Sequence, residues 1–235
     1  GCGLTGSDTL VVSRWNAGSA SASNFNLTYI VNGGTPVTEV YSSTVLPGDT
    51  VEYKFTTLVN LAALTTYNFE VYSGLTGDAN NLNDTITGST TNRPVATFPF
   101  TEDFETGTAN SVFKFTTNSE SKAYVHSSSA NASLYGLTLE GNSANAYITP
   151  NATNVWTTNP LHFASAEFCL DLTGVTTAEI RYDLQQGYNF NDFYTNLRVT
   201  VDGNQVGLDN RPAGATTSWD TIMVDISSYA GSIVN

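Results

Sequence analysis

The sequence is poor in charge, and above all in positive charge. Only 12% of its 235 residues are charged, and 8 Lys and Arg stand against 21 Asp and Glu, which gives a net charge of −13. Nucleic acids and anionic lipids are bound by clustered Lys and Arg. No apolar run approaches the roughly 20 residues of a membrane-spanning helix. The composition therefore predicts neither a nucleic-acid partner nor membrane insertion.

Cysteine is almost absent. The two cysteines, Cys2 and Cys169, are too few for a disulfide scaffold. A bridge between them stays open, but the favoured expectation is a pair of buried, inert thiols.

Recognisable catalytic motifs are also missing. The chain has no Gly-x-Ser-x-Gly elbow, phosphate-binding glycine loop, HExxH or CxxC. The two histidines, His126 and His162, are not next to a motif acid. A pair of carboxylates for sugar hydrolysis stays open, but the favoured expectation is a binding or spacer protein rather than an enzyme.

The pattern that fills the chain is that of β-strands. Short segments rich in Val, Ile, Thr, Tyr and Phe alternate with polar residues and end at Gly, Pro, Asn or Asp. Residues 24–32 place Phe25, Leu27 and Tyr29 on one face, and Asn32-Gly33-Gly34 then predicts a hairpin turn. About seven such strands in the first 90 or so residues predict an immunoglobulin-like sandwich.

A polar stretch with two prolines, residues 90–107, predicts a linker and a domain boundary. We place the boundary between residues 92 and 93. Phe98, Phe100 and Phe104 share one parity, which predicts the opening strand of a second domain. About eight to ten strands in the remaining 140 or so residues predict a jelly roll, so the whole chain is expected to be all-β.

A set of mostly turn residues marks the first half: Gly1-Cys2-Gly3-Leu4-Thr5, Val31-Asn32-Gly33-Gly34-Thr35-Pro36, Pro47-Gly48-Asp49-Thr50 and Asn83-Asp84-Thr85. With these residues the first half resembles the CARDB-like immunoglobulin module of large secreted and surface proteins of Bacteroidetes. The resemblance implies a domain over residues 1–92.

Four segments mark the second half: Phe98-Pro99-Phe100-Thr101-Glu102-Asp103-Phe104-Glu105, the strand pattern Arg181-Tyr182-Asp183-Leu184, Arg198-Val199-Thr200-Val201-Asp202-Gly203 and Trp219-Asp220-Thr221-Ile222-Met223-Val224-Asp225. With these residues the second half, residues 93–235, resembles the MAM-like, cleaved-adhesin jelly rolls of the same bacteria. Such domains end with a further strand, so this one is expected to be incomplete at its C-terminus and the chain to be a piece of a longer protein.

Two acidic segments are candidates for calcium. On a strand, Asp103 and Glu105 would project together from the face opposite the phenylalanines. The resemblance implies a structural calcium near this segment, which makes Asp103, Glu105 and Asp225 the predicted ligands; the alternative is a solvated acidic edge. Residues 77–84 could form a second calcium loop, but an Asx-rich turn is favoured there.

A loop at 187–194 interleaves aromatic rings with amides and an acid. Rings that stack on a sugar beside side chains that pair with its hydroxyls are what a glycan site needs. The alternative is that the rings pack over one end of the barrel. The predicted ligand-binding residues are Tyr188, Asn189, Asn191, Asp192 and Tyr194.

Four Asp-Thr-aliphatic triplets match the O-glycosylation pattern of secreted Bacteroidetes proteins. If the resemblance holds, the modified residues are Thr9, Thr50, Thr85 and Thr221.

These observations predict a non-catalytic fragment of a large extracellular or cell-surface bacterial protein. We expect the first domain to be a spacer and the second to adhere to an extracellular glycan or a surface protein. The resemblance implies type IX secretion and a role in adhesion or gliding motility. Two alternatives stay open: an accessory module of a secreted peptidase or glycoside hydrolase, and a structural repeat of a surface filament.

Overall fold

The structure, a computed structural model, describes residues 1–78, 80–118, 121–127, 129–140, 163–186, 197–210 and 218–235. Over these residues the fold is all-β, as predicted, with two short 3₁₀ turns and no α-helix. None of the helical segments found there has the length and apolarity that crossing a bilayer requires. The chain divides into two compact units, one comprising residues 1 and 3–93 and the other residues 2 and 94–235.

The first unit is built from two antiparallel sheets. One sheet has four strands in the order β3-β2-β5-β6, and the other pairs β1 with β4. The strands are β1 (Val11–Trp15), β2 (Phe25–Val31), β3 (Val37–Tyr41), β4 (Thr50–Lys54), β5 (Thr66–Gly74) and β6 (Thr85–Thr91).

The predicted inward face of β2 forms the centre of the first core. Leu27 is fully buried and Tyr29 is buried, and the Tyr29 ring meets Phe55 edge-on with the ring centroids 4.8 Å apart. The predicted turn follows, with positive φ at Asn32 and Gly33 as in a type I′ turn, and with the Gly34 amide bonded to the Val31 carbonyl at 2.9 Å. The alternation of apolar and polar residues along β2 therefore identifies the side chains that pack between the two sheets.

A buried asparagine closes the first unit. Asn92 is 5% exposed, and its amide nitrogen donates to the carbonyls of Leu4, Leu61 and Ala62 at 3.0–3.2 Å. Its side-chain oxygen accepts from the Leu4 amide at 3.2 Å. An unpaired buried amide is costly, so Asn92 specifies how three backbone segments meet.

A carboxylate pins β3 to the turn that follows β4. Glu39 accepts from the Tyr53 hydroxyl at 2.7 Å and from the amides of Thr56 and Thr57 at 3.0 and 2.8 Å. Burial alone would raise the pKa of this carboxyl, but the hydrogen bonds outweigh burial and lower the pKa to about 2. The same contact, followed by burial, raises the pKa of Tyr53 to about 12.

The second unit contains five small sheets in the residues that the structure describes there. A three-stranded sheet has β12 at its centre, parallel to β7 and antiparallel to β17. The remaining pairs are β8 with β11, β9 with β10, β13 with β16 and β14 with β15, all antiparallel. The strands are β7 (Val95–Thr97), β8 (Lys114–Thr117), β9 (Lys122–His126), β10 (Gly136–Glu140), β11 (Ala164–Glu167), β12 (Cys169–Asp171), β13 (Glu179–Leu184), β14 (Leu197–Val201), β15 (Asn204–Asn210), β16 (Asp220–Asp225) and β17 (Ile233–Val234).

The core of the second unit draws on the strands of several sheets. Its buried members include Leu172, Val201, Ile226 and Val234. A group of phenylalanines extends it, with the Phe113 and Phe168 rings 5.1 Å apart. Because the core residues come from early and late strands, this unit depends on contacts between distant parts of the chain.

The predicted opening strand over Phe98, Phe100 and Phe104 is wrong. The strand is β7, which ends at Thr97, and the phenylalanines lie in a turn-rich segment. Pro99 has no amide hydrogen to give to a ladder, and Phe104 has a φ of 60°. The alternation of phenylalanines and polar residues therefore does not produce a strand here, because Pro99 and the backbone conformation of Phe104 interrupt the ladder.

The expectation of two unpaired thiols is also wrong. Cys2 and Cys169 form a disulfide with their Cα atoms 5.6 Å apart, within the usual range for such a bond. Cys169 is fully buried at the start of β12. The pairing depends on tertiary structure, which the sequence pattern does not reveal.

Glu39→Gln is expected to destabilise the first unit at neutral pH and to do so less in acid. The folded-state pKa of Glu39, about 2, lies below its ordinary value of 4.5, so its contribution is full above pH 4.5 and is lost as the pH falls toward 2. We expect a difference in free energy of unfolding of about 1–2 kcal/mol at pH 7, measured by urea denaturation at a series of pH values.

The matched control is Glu52→Gln. Glu52 is exposed on β4 and lies 3.8 Å from an equally exposed Lys54, so we expect a change below about 0.5 kcal/mol. A Glu39→Gln effect that is the same at pH 7 and pH 2.5 would contradict the assignment.

Candidate functional site

The acidic segment 102–105 folds back on its own backbone. Glu102 accepts from the Phe104 amide at 2.8 Å and from the Asn110 amide at 3.2 Å. Asp103 accepts from the Glu105 amide at 3.1 Å. Short acidic side chains compete with ladder formation in this way, so the segment is a turn and its carboxylates act as caps for backbone amides.

Glu105 reaches away from this turn to a distant loop. Its carboxylate accepts from the amides of Leu134 and Tyr135, each at 3.0 Å. Both contacts lower the pKa of Glu105, and the Tyr135 amide has the larger effect. The Tyr135 ring lies against Gly107, where a Cβ would stand 3.4 Å from the ring and φ is +75°. A glycine is therefore suited to this contact on both counts.

A second carboxylate holds the other end of the same loop. Asp183 on β13 accepts from the Asn131 side-chain amide at 2.8 Å and from the Thr221 hydroxyl at 2.7 Å. Both lower the pKa of Asp183, the Thr221 hydroxyl most. We call residues 131–135 the clamped loop, because Glu105 and Asp183 hold it from two sides.

The clamped loop presents an apolar side chain to solvent. Leu134 is 68% exposed while its amide is bound by Glu105. A loop ordered before binding loses less conformational entropy on meeting a partner. The two carboxylates therefore order the backbone of the loop around an exposed apolar side chain.

The three predicted calcium ligands lie in separate hydrogen-bonded settings. Asp103 caps the Glu105 amide, Glu105 caps the clamped loop, and Asp225 accepts from the Ser227 amide at 2.9 Å. Across the described ranges no group of three or more His, Cys, Asp or Glu side chains is placed to hold a metal ion. The calcium assignment stays a prediction.

The second predicted calcium loop, residues 77–84, has the contacts of an Asx-rich turn. Asp78 accepts from the Asn80 amide at 2.9 Å, and Asn80 accepts from the Leu82 amide at 3.3 Å. Asp84 accepts from the Ser73 hydroxyl and lies 3.9 Å from Arg14. The favoured turn accounts for these side chains.

The predicted glycan-binding residues Tyr188, Asn189, Asn191, Asp192 and Tyr194 lie outside the described residues. Their assignment stays a prediction.

The four threonines predicted to carry glycans, Thr9, Thr50, Thr85 and Thr221, are all exposed. Thr221 differs from the others because its hydroxyl donates to Asp183 at 2.7 Å. A sugar on this oxygen would remove that hydrogen bond, so modification of Thr221 would cost the stabilisation that the bond provides.

A groove of about 340 Å³ lies in the first unit between the start of β1 and β6. Leu61, Phe69 and Val71 line its floor. Asp8 at its rim accepts from the Thr5 amide at 2.7 Å, so this carboxylate already has a partner. The groove offers apolar surface and few polar groups to orient a ligand.

Asn131 and Asp183, which complete the clamped loop, were not among the predicted site residues. Asp183 lies at an exposed position of β13, where half-buried and exposed residues alternate, so its exposure could have been inferred from the sequence. Its partners lie 52 and 38 positions away, and no local pattern indicates them.

Comparison of the chain with protein-family models, with curated proteins and with solved structures finds no match.

Glu105→Gln is expected to loosen the clamped loop without unfolding the unit. The variant loses the charge that strengthens both hydrogen bonds, so amide hydrogen exchange at Leu134 and Tyr135 should accelerate roughly tenfold, with little change in the β13–β16 pair. Hydrogen exchange followed by mass spectrometry or NMR measures this.

Asp103→Asn is the control, because Asp103 caps the neighbouring Glu105 amide rather than an amide of the clamped loop. Unchanged exchange at Leu134 and Tyr135 in Glu105→Gln would show that the carboxylate does not hold the loop.

Proposed function

We propose that this chain is a non-catalytic part of an extracellular or cell-surface protein that acts in adhesion. The observation that carries the proposal is the Cys2–Cys169 disulfide. Disulfides persist in secreted and surface proteins and are rare in the reducing cytosol. The chain's acidity and small share of Lys and Arg fit a protein that meets neither nucleic acid nor anionic lipid.

The first unit acts as the spacer. Its core is continuous from β1 to β5, and Asn92 and Glu39 fasten its loops by hydrogen bonds to backbone groups. A unit whose loops are fastened to its own backbone keeps its dimensions, which suits a structural role rather than a ligand-binding one.

The second unit carries the adhesive surface. Support comes from the clamped loop, which displays Leu134 on a backbone held by two carboxylates. The aromatic and amide composition of residues 187–194 supports a glycan as the ligand. The resemblance to cleaved-adhesin jelly rolls supports the same role, together with type IX secretion.

Binding of the full chain to a glycan array tests the adhesive role. We expect at least one glycan to bind, and the double variant Tyr188→Ala/Tyr194→Ala to lose affinity about tenfold, since two ring contacts at about 0.5–1.5 kcal/mol each reach the free energy of a tenfold change. The control is Trp15→Ala, which removes an aromatic ring 67% exposed in the first unit and should leave binding unchanged.

Loss of binding in Trp15→Ala alone would move the site to the first unit and contradict the spacer role. No binding to any glycan or surface protein would favour the alternative of a structural repeat. A catalytic domain on the same native polypeptide would favour the accessory module of a secreted hydrolase.

We further propose O-glycosylation at Thr9, Thr50, Thr85 and Thr221, supported by their exposure. Intact-mass measurement of the native protein tests it, and we expect a mass above that of the bare polypeptide. Thr221 should carry the lowest occupancy, because modification costs its hydrogen bond to Asp183. A mass equal to the bare chain would remove the proposal.

A further inference from the structure

The disulfide encloses most of the chain in a covalent loop. Cys2 and Cys169 are 167 positions apart. The loop therefore contains residues 3–93 of the first unit and strands β7 to β11 of the second. Residues 1 and 2 and residues 169–235 are the parts of the chain that the loop does not enclose.

Covalent connectivity decides which residues carry a tensile load. A force applied at residues 1 and 235 passes from Cys2 through the sulfur–sulfur bond to Cys169, and then along the chain to residue 235. We propose that the disulfide is a mechanical bypass, which keeps the first unit and strands β7 to β11 out of the load path and holds them as a reserve of extensible chain.

The part that stays in the load path has a defined weak point. β12 and β17 are antiparallel, with Leu170 opposite Val234 and Asp171 opposite Ile233. Cys169 and Asn235 therefore lie at the same end of this pair. A load on these two residues separates the strands one hydrogen bond at a time, and the Asn235 contacts to Asp202 at 2.8 and 3.0 Å open with them.

Release of the reserve requires reduction of the disulfide. Two electrons from an external dithiol break the bond, Cys2 and Cys169 each gain a thiol proton, and the dithiol is oxidised to its own disulfide. Cys169 is fully buried in the folded unit, whereas Cys2 is half-buried. The fold therefore restricts attack on the Cys169 sulfur, and opening of the second unit under load exposes it.

The bypass makes a numerical prediction for single-molecule force spectroscopy on the full chain held at residues 1 and 235. With the disulfide intact, complete unfolding should release only residues 169–235, roughly 23 nm of contour length at about 3.5 Å per residue. After reduction, the 167 positions between the cysteines should add about 58 nm at the same length per residue.

The double variant Cys2→Ala/Cys169→Ala should give the longer extension without any reductant. Should this variant fail to fold, the oxidised wild type still decides, because its extension must stop near 23 nm. An oxidised chain that extends by about 80 nm, or two thiols titrated in the denatured, unreduced protein, would overturn the bypass.

The bypass rests on the disulfide and the strand order, and it does not depend on which ligand the chain binds. A chain that binds no glycan can still show the bypass, and an adhesive chain can lack it. The two experiments therefore fail independently.

Discussion

The disulfide between Cys2 and Cys169 is the constraint on which most of the structure depends. By the loop-entropy relation, closing a loop of this length lowers the conformational entropy of the unfolded chain, which raises the free energy of that state by about 5 kcal/mol. That is comparable to the whole stability of many domains. The bond also restrains the unfolded state of two units at once, since every residue from 3 to 168 lies within the loop. Non-covalent contacts within each unit then select one structure from a reduced ensemble.

Local features were the ones that sequence predicted well. The alternation of Phe25, Leu27 and Tyr29 gave the buried face of β2, because a strand repeats every two residues. The predicted turn at Asn32-Gly33 has positive φ at both residues, because few other dipeptides adopt that conformation cheaply. In each case the signal and the structure lie within a few residues of one another.

Features that depend on distant partners were missed. Asn92 binds backbone groups 30 or more positions away, and Glu39 and Glu105 bind amides 17 and 29 positions away. The cysteine pair has the same character. The strand predicted over Phe98, Phe100 and Phe104 failed for a different reason, because Pro99 has no amide hydrogen and the Phe104 amide is bound by Glu102. The clamped loop also depends on distant partners. The sequence shows its individual residues but not the contacts between them.

The size of the disulfide loop also bears on how such a protein can grow. The entropy of closing a flexible loop rises only with the logarithm of its length, so doubling the enclosed chain changes the closure term by about 0.6 kcal/mol. Segments inserted between Cys2 and Cys169 would therefore be almost neutral with respect to the bond, provided that each folds by itself. The architecture is therefore permissive to gene-level insertion of folded segments within the disulfide loop.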